Sequence, residues 1–144
     1  MAYFQILGTG PSTPITEGTG RNYRRRSSAL MQNIASYCLI DVTHDFDEQI
    51  EVALSVTDVV VTNASRDAAG GLGKLDRWAE EPLVLHAETA FFELLSERYG
   101  PFERLTHRPL ELNTPTDIGD LTLTGFEVVT RRGTPTFGYH FDTG

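Results

Sequence analysis

The chain has 144 residues, with 12 Lys and Arg against 20 Asp and Glu and a formal net charge of −8. That length fits one domain over residues 1–144, and a chain of this size buries about 68–70% of the surface its unfolded form exposes. The acidic balance makes the chain a poor general binder of nucleic acid, since that affinity rests on neutralising phosphates. The single cysteine, Cys38, excludes an intrachain disulfide and any cysteine-based zinc cluster. No apolar run approaches the ~20 residues that cross a bilayer. The start, Met1-Ala2-Tyr3-Phe4-Gln5-Ile6, lacks the basic stretch, apolar core and cleavage site of a signal peptide. The plain reading is a cytoplasmic protein.

Residues 2–7 read as a strand that runs into the breaker Gly8-Thr9-Gly10-Pro11. Residues 11–26 form a polar segment longer than an ordinary connection. Residues 28–33 and 35–41 read as two strands of a hairpin turning near Asn33. A helix is predicted over 44–54, with Phe46, Ile50 and Leu54 on one face and Asp45, Asp47 and Glu48 near its positive end. The β-branched run Val59-Val60-Val61 makes 57–62 a strand. A helix over 67–79 is weakened by Gly70, Gly71 and Gly73. Then come a strand over 82–86 and a helix over 88–99 with Phe91, Phe92, Leu94 and Leu95 as its apolar set, stopped by Gly100-Pro101. The remainder reads as strands over 107–112, 121–130 and 136–141, with the alternation slipping at Gly125 in the manner of a bulge. The order predicts a mixed α/β protein, its sheet covered by helices on one face.

The segment Val59-Val60-Val61-Thr62-Asn63-Ala64-Ser65-Arg66-Asp67-Ala68-Ala69-Gly70-Gly71-Leu72 resembles the signature turn of the metallo-β-lactamase superfamily. There an apolar strand ends in Thr, followed by His-x-His-x-Asp-His, an apolar residue and Gly-Gly-Leu. Leu7-Gly8-Thr9-Gly10, Arg24-Arg25-Arg26-Ser27-Ser28, Leu39-Ile40-Asp41 and Thr136-Phe137-Gly138-Tyr139 are similar to segments of the branch that holds tRNA 3′-end endonucleases and cyclic phosphodiesterases. The resemblance runs from Ile6 to Phe141. It implies half of an αβ/βα sandwich and a hydrolase that works through two metals, usually zinc.

The same alignment puts Asn63, Ser65, Asp67 and Ala68 at the metal-binding positions, and only Asp67 keeps the family's residue type. Imidazole is a good zinc ligand; a carboxamide and a hydroxyl are poor ones and a methyl is none. The stretch Val128-Val129-Thr130-Arg131-Arg132-Gly133 also lacks the family's next His, and its later ligands would lie beyond Gly144. The expectation is therefore no metal cofactor and no catalytic residue. His44, His86, His107 and His140 are scattered and form no ligand pattern. Asp41, His44 and Asp45 follow a strand end, where sites occur in α/β proteins; the alternative is a helix cap with first-turn acids.

Arg21, Arg24, Arg25 and Arg26 lie within six residues. Guanidinium forks suit phosphate and carboxylate, so Arg24, Arg25, Arg26 and Arg66 are candidate anion-binding residues. The alternative is that they pair with the abundant acids. Gly8-Thr9-Gly10 lacks the third glycine and following helix of a dinucleotide fingerprint. Ser12, Ser27, Ser28 and Ser65 have no nucleophile-elbow context. Cys38, within an apolar strand, reads as an inert core thiol.

Half of a sandwich would leave its inner sheet face bare, with residues from 28–33, 37–40, 59–61 and 121–129 on it. A two-fold homodimer would cover it. The primary expectation is thus a catalytically inactive, dimeric binding or scaffolding module with room for a small anionic ligand. The alternatives are one subunit of a metal-dependent hydrolase completed by another chain, or a piece of a longer protein.

Overall fold

The computed structural model describes residues 2–10, 26–46, 56–131 and 133–144. The polar segment 11–25, with Arg21, Arg24 and Arg25, and most of the helix expected over 44–54 lie outside the described residues. Nine strands and three helices are described: β1 Tyr3–Gly8, β2 Ser28–Gln32, β3 Tyr37–Ile40, β4 Asp58–Val60, α1 Arg66–Ala69, α2 Leu72–Trp78, β5 Leu83–Ala87, α3 Thr89–Tyr99, β6 Leu105–Pro109, β7 Thr116–Ile118, β8 Leu121–Glu127 and β9 Phe137–Asp142.

Strands β1 to β6 form one mixed sheet in chain order. The β1–β2–β3 part is antiparallel, as the hairpin signal predicts, and β3 to β6 are parallel. The parallel strands are apolar runs because helices pack on them: Leu39, Val59, Leu83 and Leu85 form one core with Leu72 and Leu75 of α2 and Phe91 and Leu95 of α3.

The expected helix over 67–79 is two helices, broken at Gly70-Gly71. The main chain there docks edge-on against the end of β3. Val42 N donates to Ala68 O at 2.7 Å and Gly71 N to Val42 O at 2.8 Å. A Cβ on Gly71 would lie 2.0 Å from Thr43 O, so only glycine permits the approach.

Strands β7, β8 and β9 form a second, antiparallel sheet, where one sheet had been expected. It lies on the face opposite the helices. Cys38 and Val60 of the large sheet are buried with Ile118, Leu121 and Leu123 of the small one. Ser36 ties the two: its Oγ donates to Ile118 O at 2.8 Å and accepts from Asp120 N at 3.1 Å. The inner face expected to be bare is thus covered in part within one chain, at β3, β4 and the buried side of β8. Apolar exposure remains on the edge strand β1, at Tyr3, Phe4 and Ile6, and also at Ile34, Trp78, Phe126, Val128 and Val129.

Two further readings change. The register of β8 with β9 is continuous through Gly125, so there is no bulge there; a Cβ at Gly125 would lie 2.7 Å from Leu110 Cδ2, and the glycine makes room for that side chain. The irregularity falls in β1, between Ile6 and Gly8. The strand expected over 107–112 is shifted to β6, and Leu110 turns into the second core.

Candidate functional site

The parallel strands deliver their C-terminal ends, and the turns after them, to one rim of the large sheet. Asp41 follows β3 with a left-handed φ of 62°. Its N–H donates to Val60 O at 3.0 Å. Its carboxylate accepts from Thr62 N at 2.7 Å and from Thr62 Oγ1 at 2.9 Å on either oxygen. Burial pushes the Asp41 carboxyl up to about 6; the Thr62 bonds offset this only in part, and Asp67 adds to it. Tyr139 of β9 closes the inner side, donating to Val61 O at 2.7 Å. Burial, with Asp41 nearby, raises its phenol well above the ordinary range.

The turn after Thr62 carries the four positions singled out by sequence. Asn63 Oδ1 accepts from Ser65 N at 2.9 Å and also from Ser65 Oγ. This closes an Asx-type turn that launches α1. Asp67 is exposed, and Ala68 is only 5% exposed, its methyl packed in the main core. Among the described residues, no group of three or more His, Cys, Asp or Glu side chains sits together as a metal site would need. The donors in this turn are one carboxylate, one hydroxyl and one carboxamide.

Of the four candidate anion-binding arginines, Arg26 and Arg66 are described. Arg24 and Arg25 lie outside the described residues. Arg26 is held by Asp45, through Nη1 to Oδ1 at 2.7 Å and its own N–H to Oδ2 at 3.0 Å, so Asp45 serves a structural pairing. Arg66 lines a cavity of about 480 Å3 with His44, Ser65, Gly70, Arg98 and Tyr99. Arg98 Nη1 and Tyr99 Oη both donate to Ala64 O, at 3.2 and 2.6 Å. Burial lowers the His44 pKa, and Arg26 and Arg66 lower it further against Asp45. Sequence reasoning missed Arg98 and Tyr99; at the end of an amphipathic helix they read as solvated positions, and only the tertiary fold brings them to the turn.

Of the other histidines, His140 is exposed on β9 and two make structural contacts. His86 is buried on β5, with Nε2 2.6 Å from Asp58 Oδ1. His107 stacks on Phe92 with centroids 3.9 Å apart, its Nε2 2.9 Å from Ala87 O. Cys38 is buried, and burial pushes its thiol well up, in accord with an inert core position. No helix among the described residues is long and apolar enough to cross a membrane.

No family model and no curated protein matches the sequence. Solved structures do. A diphosphatase of the PhnP family superposes with a TM-score of 0.79 at 20% identity, over 98% of this chain and 62% of that one. The metallo-β-lactamase fold protein YhfI from Bacillus subtilis gives 0.79 at 12% identity, over 99% and 58%. Zinc-bound PqqB from Methylobacterium extorquens gives 0.72 at 17% identity, over 100% and 62%. The chain thus spans about three fifths of the length of these structures. What strand order, turn geometry and superposition together establish is that this chain has a partial metallo-β-lactamase fold.

Proposed function

We propose that this chain is a binding module on the metallo-β-lactamase fold, silent as a hydrolase and without a metal centre in the turn of residues 63–68. One observation carries the reading. Asn63 and Ser65, at two positions where the resemblance implies histidines, are bonded to each other, and the Ala68 methyl is part of the core. A single carboxylate, Asp67, is left, and zinc takes three or four N, S or O ligands. These residues do not fit the metals of the fold family. The module is dimeric through β1: Phe4 and Ile6 pair with Met31 and Ala29, so they share the inner face with Cys38 and Ile40 beyond the reach of the second sheet. Exposed apolar side chains on an edge strand favour association.

Hydrolysis of bis(p-nitrophenyl) phosphate with added zinc or manganese tests the first part, and turnover above buffer overturns it. Sedimentation tests the second. A dimer that becomes monomeric in Phe4→Asp is expected, and a wild-type monomer overturns it.

The second reading, a subunit or piece of a metal-dependent hydrolase completed by further chain, draws on the chain spanning 62%, 58% and 62% of the matched structures. A tightly co-purifying second protein that brings zinc would favour it.

A further inference from the structure

We propose that the cavity between the turn of residues 63–68 and the end of α3 binds a small phosphate monoester, gripped by Arg66 and Arg98. This rests on the reading of the chain as a binding module and names its ligand class. The charge is the first argument. Among the described residues, two guanidinium groups and the His44 imidazole line the cavity and no carboxylate does, in a chain whose net charge is −8. Burial is the main cause of the lowered His44 pKa, and Arg26 and Arg66 add to it against Asp45.

The second argument is preparation. Arg98 and Tyr99 are both fixed by Ala64 O, and that bond uses one of the five N–H donors of Arg98. The guanidinium of Arg66 makes no hydrogen bond or ion pair among the described residues, unlike Arg26, which is held by Asp45. Two forks, one anchored and one unoccupied, suit an anion with several oxygens.

Size selects within the anions. About 480 Å3 falls in the ordinary range for small-molecule sites of roughly 300–1,000 Å3 and exceeds what a bare phosphate fills. The Tyr99 ring gives the organic part an apolar wall. A compact phosphate monoester meets the charge and the volume together.

Calorimetric titration in EDTA, with phenyl phosphate and with inorganic phosphate as probes, tests this. Phenyl phosphate is expected to bind saturably and more tightly than inorganic phosphate. Because hydrogen bonds to charged groups are the strong ones, Arg66→Ala is expected to weaken it about tenfold or more. Arg98→Lys, which keeps the charge and loses the fork, should weaken it measurably, and Arg131→Ala, outside the cavity, should leave it unchanged. Arg66 is exposed, so its variant keeps the fold, checked by circular dichroism. No saturation with phenyl phosphate, or equal affinity in wild type and Arg66→Ala, overturns the site. Zinc content decides the metal-free reading separately, so the two can fail independently.

Discussion

Replacing Asp41 by Asn probes the rim of the site through its charge alone. The side chains have the same shape, and Asn tolerates the φ of 62° found there. The carboxamide oxygen can keep the bond from Thr62 N, and its NH2 can donate to Thr62 Oγ1. The carboxyl is raised from 3.8 to about 6, which corresponds to about 3 kcal/mol. The sign follows from proton binding. Below pH 3.8 the group is protonated in both folded and unfolded chains and costs nothing. Between 3.8 and about 6 the folded chain holds the extra proton, so stability falls as pH rises, and the full cost is present above about 6. Urea unfolding at a series of pH values reads the difference, in which every other titrating group cancels. Wild type and Asp41→Asn should be alike near pH 4, and the variant should be more stable by about 2–3 kcal/mol at pH 8. A gap that does not change with pH, or a variant less stable at pH 8, would refute the assigned burial and the reasoning with it.

Gly71→Ala places a Cβ 2.0 Å from Thr43 O, and since backbone must move, a loss of about 3 kcal/mol or more is expected in urea unfolding. Asp76 accepts from the N–H groups of Arg104 at 2.7 Å, Leu105 at 2.9 Å and Glu103 at 3.1 Å; Asp76→Ala should cost about 3 kcal/mol. Burial alone would raise the Asp76 pKa, but those three N–H groups outweigh it and hold it below 3.8, so the stabilisation is complete above pH 3.8 and is lost as pH falls further, visible as a flatter acid limb in the variant. Asp58→Ala strands the buried His86, whose Nδ1 has no hydrogen-bond partner among the described residues; a loss of about 3 kcal/mol by thermal or urea unfolding is expected.

The local signals carried most of the large sheet. β-branched and apolar runs marked β3, β4 and β5, and the helix ended by Gly100-Pro101 ends where it was expected. Two strands of the second sheet, β8 and β9, were legible, but its first, Thr116-Asp117-Ile118, buries only Ile118 and carries no alternation to read. The face of β3 that looked bare is a matter of which elements meet, and Cys38 and Val60 look the same in sequence whether solvent or a second sheet lies above them. The signature turn was legible as a frame, and its substitutions at Asn63, Ser65 and Ala68 were evident at once. The sequence did not show that Asn63 and Ser65 satisfy each other. It also missed that Arg66 finds its partner cation in Arg98, 32 positions further on, while Arg26 is held by Asp45.

The most direct test of the account is native mass spectrometry after incubation with zinc and exchange into metal-free buffer. The self-bonded turn predicts a chain mass without added metal. One or two zinc-sized additions per chain, lost in Asp67→Ala, would contradict it and put metal-dependent hydrolysis first.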